Sequence, residues 1–265
     1  MKAGQRALRF QCNGSALVGI VDVPERPLAR GVLVLTGASH YRIGARRQLT
    51  LMTRLMAGRG IPALRFDQRG VGDSEGEAHG LEGLDDDIRA AIGEFSRQVP
   101  EMNEVVIWGL GDAATAAAVY ARADQRVAGL VLLNPVVHNA APAARATLRH
   151  YYLPRMGELG FWKKVATGKF DLMASAASLR QSVRGTAGRD VSLSQRMVAG
   201  IAGFGGPVLV ILSGDARGTR DAASLLERHH VQCRRIDVAP ALRGQATRQW
   251  RDDIAQLSAN WITSW

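Results

Sequence analysis

The sequence predicts an α/β fold: a mostly parallel, doubly wound sheet with helices on both faces, an N-terminal antiparallel hairpin at one edge and a helical insertion. Three observations carry this expectation. Buried-strand patterns alternate with helical patterns along most of the chain, which produces a parallel sheet covered on both faces. Two strand runs meet at Asn13-Gly14, a pair suited to a two-residue hairpin turn. Between Asn134 and Gly206 the strand signal stops and helical patterns take over.

In chain order, Arg6 to Gln11 and Ala16 to Val23 alternate apolar and polar residues, the period of a half-buried strand. Gly31 to Leu35 is a continuous apolar run, as in a strand buried on both faces. From Arg46 to Ala57 the residues Leu49, Met52 and Met56 form one helical stripe of core residues, ended by Gly58 and Gly60. Ile61 to Phe66 is the next strand, followed by a glycine-rich loop and a helix from Leu84 to Gln98. Asp85, Asp86 and Asp87 open that helix, where negative charge complements the helix dipole. Glu104 to Trp108 is a strand, Asp112 to Ala121 an alanine-rich helix, and Val127 to Leu133 a strand. Pro207 to Leu212 and Gln232 to Val238 read as strands, with a helix near Thr219 to His229 between them. A last helix from about Ala246 carries Trp250, Ile254, Leu257 and Trp261 on one stripe. The expected organisation is a core of residues 1–134 and 206–265 with a helical lid, 135–205, inserted at the ligand-binding end of the sheet.

Composition narrows the function classes. The 265 residues are 46% hydrophobic and 22% charged, so a disordered or fibrous chain is excluded. No apolar run is long enough to span a bilayer and no signal core follows Met1, so the expectation is a cytoplasmic protein. Cys12 and Cys233 cannot form a disulfide framework and read as buried small apolar residues. The net charge of +10 favours anionic contacts. The basic residues are scattered, however, with no nucleic-acid-binding motif, so no nucleic-acid partner is expected. The insertion is the most basic part, with Arg145, Arg149, Arg155, Lys163, Lys164 and Lys169 among its cations. That surface is either a solvated face or a weak dock for a membrane surface or anionic polymer.

Two motifs carry chemistry. Asp67-Gln-Arg-Gly-Val-Gly-Asp-Ser74 follows a buried strand; its glycines permit a tight loop, and Asp67 and Ser74 can bind its backbone. It resembles the loop after the fourth strand of α/β-hydrolases. Val105-Val-Ile-Trp-Gly109-Leu-Gly111-Asp112-Ala113 is a strand, a sharp turn and a small-residue helix. An α/β-hydrolase places its nucleophile elbow in such a turn.

Over nearly its whole length the chain resembles the hydrolase 1 family of the exosortase A system. The shared words include Phe10-Gln-Cys-Asn-Gly14, Tyr41-Arg-Ile-Gly44, Leu64 through Gly76, Trp108-Gly-Leu110 and Leu130 through Pro135. His150-Tyr-Tyr-Leu153, Phe161-Trp-Lys-Lys164 and Gly168-Lys-Phe-Asp171, in the insertion, are the most family-specific. The resemblance implies an α/β-hydrolase fold encoded beside a bacterial protein-sorting and exopolysaccharide locus. It also implies a cysteine, or in other relatives a serine, where this chain has Gly111. The fold's catalytic histidine belongs after the last strand, in Ala239 to Gln245, which contains none. Asp215 is the candidate acid, or else a turn residue.

The candidate catalytic positions are therefore Gly111, Asp112 and Asp215, with Gly37, Ala38, Ser39 and His40 as the oxyanion loop and pocket. Gly111 has no side chain to attack an acyl group. Asp112 is either a nucleophile in a slipped register or a helix-terminal charge. His40, His138 and His150 are alternative bases or polar surface residues, and Ser74 stabilises its loop. No cofactor or metal is expected. The expected function is a degenerate hydrolase acting as a binding or accessory protein for a small acyl-type ligand. The alternative is an active esterase-like or thioesterase-like hydrolase, or an acyl transferase, using displaced residues.

Overall fold

The computed structural model describes residues 3–37, 41–78, 80, 83–136, 194–213, 217–238 and 248–265. Strands β1 (Ala3–Cys12) and β2 (Ser15–Pro24) pair antiparallel from Ala3↔Pro24 to Cys12↔Ser15. Asn13 and Gly14 join them with φ of 48° and 81°, the two positive values a type I′ turn requires. β3 (Arg30–Leu35), β4 (Ala63–Phe66), β5 (Glu104–Leu110) and β6 (Val127–Leu133) follow. β7 (Val208–Ser213) and β8 (Arg234–Val238) complete one eight-stranded sheet of order β1-β2-β4-β3-β5-β6-β7-β8. β2 meets β4 antiparallel, and every pairing from β4 to β8 is parallel. This is the α/β-hydrolase fold, a mixed sheet with helices between its strands.

Alternation along the strands divides the core. On one face Val32, Val34, Val106 and Trp108 pack with Leu49, Met52 and Met56 of α1 (Gln48–Gly58) and with Ile254 and Trp261 of α6 (Arg248–Ile262). Trp108 Nε1 donates to Ser258 Oγ at 3.1 Å, and Trp250 Nε1 to Ser213 Oγ at 2.7 Å, so two indoles tie α6 to the sheet. The opposite face takes α2 (Leu84–Gln98), whose Phe95 lies so close to Gly31 that any Cβ there would strike its ring. It also takes α3 (Asp112–Tyr120), all five of whose alanines are buried. Residues 194–202 form α4 and Arg217–Arg228 form α5. The chain divides into two compact units, residues 1–136 with 197–265, and 137–196. Most of the expected lid, 137–193 including His138 and His150, lies outside the described residues. Among the described residues no helix is long and apolar enough to cross a membrane.

Several boundaries differ from the sequence expectation for local reasons. α1 begins at Gln48, not Arg46, because Arg46 (φ 50°) and Arg47 (φ 62°) are both left-handed. Arg251 Nη1 holds this turn by donating to Arg46 O at 2.8 Å. β4 starts at Ala63 because Pro62 has no N–H for the ladder. β8 starts at Arg234, which leaves Cys233 before the strand and half-buried instead of in the core. Asp87 is more than a helix-terminal charge: it is buried, pairs with Arg69 and accepts the Cys12 thiol at 3.2 Å.

Both cysteines are free. Burial, reinforced by the hydrogen bond to Asp87, pushes the Cys12 thiol up to about 12. Only thiolate reacts with an alkylating agent. Burial raises the Cys233 thiol as well, but with no carboxylate partner among the described residues. Native protein at pH 8 should therefore alkylate faster at Cys233 than at Cys12, whereas unfolded protein should label both at similar rates, as peptide mass mapping can read. Cys12 reacting as fast as Cys233 in the folded state would contradict the burial of the β1–α2 contact.

Candidate functional site

The sheet changes direction at β3: β4 lies on one side of it and β5 on the other. Open α/β sheets bind ligands beyond the carboxyl ends of the strands flanking such a switch point. Here those ends are Gly37, after β3, and Gly111, after β5. They are neighbours, since a Cβ placed on Gly37 would lie 3.9 Å from Asp112 Cβ.

The turn after β5 is built from small residues. A Cβ on Gly109 would stand 2.6 Å from Ala114 Cα and 2.9 Å from Ala113 O, so only glycine lets β5 run this close to α3. Gly111 then turns the chain with φ 61° and ψ −123°, a combination that side-chain-bearing residues reach only under strain. Its N–H donates to Leu133 O at 2.9 Å, and its carbonyl accepts the Ala114 N–H at 3.1 Å. Asp112 is the first residue of α3 and Gly111 is the apex. In front of the apex there is room: the nearest atom to a Cβ on Gly111 would be Val136 Cγ2, at 3.9 Å.

The glycine-rich loop grips both sides of the segment that leads away from β3. Gln68 Nε2 donates to Thr36 O, just before Gly37. Asp67, fully buried, accepts the Arg42 N–H at 2.8 Å, the Arg42 guanidinium, and the Asp73 N–H at 3.1 Å. Arg42 also reaches Asp73 at 2.8 Å, and the Tyr41 hydroxyl donates to Asp73 at 2.7 Å. Those two hydrogen bonds, Tyr41 first, hold the Asp73 carboxyl below its usual range. Ser74 Oγ donates to Asp67 O and accepts the Val18 N–H, which is the loop-stabilising part expected of it. Sequence reasoning did not find Arg42. Its signal, the word Tyr41-Arg-Ile-Gly44, was visible, but its partner lies 25 residues away.

Of the sequence candidates, the described residues bring together Gly37, Gly111 and Asp112. Ala38, Ser39, His40, Asp215 and the segment 239–247 lie outside them. Asn134 (φ 47°) holds the end of β7 by accepting the Ser213 N–H at 2.7 Å, two residues before Asp215. Among the described residues no group of three or more His, Cys, Asp or Glu could hold a metal.

A profile of the family described as serine aminopeptidase, S33, matches residues 42–202, more than half of the chain. The chain belongs to this hydrolase family. The match contains the glycine-rich loop and the elbow and stops before β7, so it includes neither Asp215 nor 239–247. Solved structures with the same fold include an esterase of Pyrococcus furiosus, at TM-score 0.70 and 16% identity, covering 99% of this chain and 92% of that one. Est1E from Butyrivibrio proteoclasticus with ferulic acid bound has TM-score 0.65 and 15% identity, over 97% and 98% of the two chains. Proline iminopeptidase of Mycobacterium smegmatis has TM-score 0.65 and 14% identity, over 97% of each chain. A search of curated proteins finds no significant match.

In this S33-family chain the elbow geometry and the identity of its apex separate in a stability experiment. Gly111→Ala has room for its Cβ and bears only backbone strain, about 1–3 kcal/mol. Gly109→Ala must push two backbones apart and should destabilise more. Urea unfolding of the two variants checks this order. Equal, negligible losses would mean that the turn is not held in the geometry described.

Proposed function

We propose that this S33-family chain is a vacated hydrolase of the exosortase A-associated hydrolase 1 type, binding a small acyl-type compound as an accessory protein. The observation that carries the proposal is Gly111 at the apex of an intact elbow. Acyl-enzyme chemistry needs a nucleophile, a base and an oxyanion cradle. The Asp112 N–H, in the first turn of α3, and the Gly37 segment supply the elements of a cradle. The nucleophile position has no side chain, and the segment after β8 has no histidine. A cradle alone can hold a polarised carbonyl but cannot accept an acyl group. The basic residues of the insertion would add attraction to an anionic surface, screened over about 8–10 Å at physiological salt.

A second reading has its own support in the family match and the likeness to esterases and a peptidase. In it the protein is an active acyl hydrolase or transferase using Asp112 or a displaced histidine such as His40, His138 or His150. Turnover alone does not separate the two, because binding and an oxyanion hole can leave roughly 10³–10⁴-fold acceleration over water without a triad.

Covalent labelling does separate them. Treatment with fluorophosphonate and iodoacetamide probes, mapped by mass spectrometry, should give no adduct outside Cys12 and Cys233. Gly111→Cys should gain a labelled residue 111 while remaining a poor catalyst, since no histidine follows β8. A probe adduct on Ser39 or another pocket residue of the unaltered protein would overturn the vacated-site proposal.

A further inference from the structure

Charge is spread unevenly along the chain. Residues 26–66 contain eight arginines and no Asp or Glu. Three of the eight are built into the fold: Arg30 pairs with Glu104, Arg42 with Asp67 and Asp73, and Arg65 faces the buried Asp22 at 3.7 Å. The other five, Arg26, Arg46, Arg47, Arg54 and Arg59, are exposed. Arg59 donates to two neutral groups, Asn260 at 2.6 Å and Gln256, and Arg54 to Gln5 at 3.5 Å. Neither these two nor Arg26 and Arg47 has a carboxylate partner among the described residues. Arg46 and Arg47 lead into α1, Arg54 lies on it and Arg59 follows it. The first turn of α1 has no acid, so cations crowd the positive end of its dipole. On the adjoining α6, Asp252 is directed to Arg248 at 3.8 Å, which leaves Asp253 as the other exposed acid of that helix.

The same side of α1 is also apolar. Leu51, Arg54 and Gly58 are its exposed positions, spaced by three and four so that they share one face. Leu51 is 42% exposed. Ile43, 39% exposed, stands at the start of α1, its carbonyl accepting the Leu49 N–H at 3.2 Å. Leu28, 43% exposed, stands at its end, its N–H donating to Gly60 O at 2.8 Å. Among the described residues only one other large hydrophobic, Trp265, is so exposed. A lone exposed leucine needs no partner, but three placed along an acid-free arginine helix make a surface that attracts anions and gains from apolar contact. α2, on the opposite face of the sheet, shows the ordinary pattern: Arg89 and Arg97 are paired with Asp86 and Glu94.

We propose that the outer face of α1 docks on an anionic phospholipid surface, with Arg47, Arg54 and Arg59 at the headgroup phosphates and Leu51, Ile43 and Leu28 in the interface. A nucleic acid would satisfy the arginines and leave the three apolar side chains without a use. The main apolar stripe of α1, Leu49, Met52 and Met56, stays in the core, so insertion is shallow and charge supplies most of the attraction. The proposal depends neither on residue 111 nor on the basic residues of the insertion.

Flotation of the full chain with phosphatidylcholine vesicles, with and without phosphatidylglycerol, tests it. Binding should require phosphatidylglycerol and fall steeply from low to physiological salt. An arginine at such a surface contributes about fivefold, so Arg47→Gln with Arg54→Gln should weaken binding about 25-fold. Arg89→Gln with Arg97→Gln removes the same charge from α2 and should weaken it less than about threefold. Leu51→Ser should weaken vesicle binding several-fold and leave any binding to duplex DNA, which reads charge alone, unchanged. All five substitutions are at exposed positions, and circular dichroism should show an unaltered fold. No flotation at low salt would overturn the proposal, as would equal losses in the two double variants. Vesicle binding indifferent to Leu51→Ser would also overturn it and would assign the face to a soluble polyanion.

Discussion

The approach of β5 to α3 at Gly109 is the contact on which the site depends. A Cβ on Gly109 would stand 2.6 Å from Ala114 Cα, so strand and helix leave no space between them. The chain must therefore reverse within one residue, and Gly111 is that residue. Its N–H is fixed to Leu133 O, so the apex is referenced to the neighbouring strand β6 as well as to its own. Gly37 is brought to the same place because β3 lies beside β5, in register from Arg30↔Glu104 to Leu35↔Gly109. The geometry of the elbow is thus imposed by its surroundings, and it persists with glycine at the apex.

The second constraint comes from the glycine-rich loop. Asp67 and Gln68 hold positions 42 and 36, on either side of Gly37 to His40. Gly72 allows this, because a Cβ there would run into the Asp67 carboxylate and the Tyr41 ring. The loop is fastened to the rest of the protein by the buried Arg69–Asp87 pair, whose members would each be costly to leave alone. A frame that holds positions 36 and 42 is what the proposed oxyanion part of Gly37 would need, whatever stands at residue 111.

Local rules explain which features the sequence displayed. Asn13-Gly14 specifies its turn by itself, and the β5–α3 elbow announces itself through Gly109, Gly111 and the alanines that follow. The stripe Leu49, Met52 and Met56 marks α1 because helix periodicity is a property of nearby residues. Features that depend on distant partners were hidden. The left-handed Arg46 and Arg47 carry no local signature, and Arg251, which donates to Arg46 O, is 205 residues away. Asp87 looked like one of three equivalent helix-terminal acids until its partner Arg69 was placed. The pattern from Gln232 to Val238 places Cys233 in a strand, but alternation does not reveal that the edge strand starts pairing only at Arg234. Gly37 and Asp112 could be assigned to one site only through the fold, since the strand order brings them together.

A high-resolution structure of Gly111→Ala tests most directly the claim that the frame, and not the residue, sets the elbow. If the frame sets it, the substituted residue keeps a φ near the +61° of Gly111, with the bond to Leu133 O intact and its methyl group in the space before Val136. A turn that relaxes to negative φ, with α3 shifted away from β5, would contradict it.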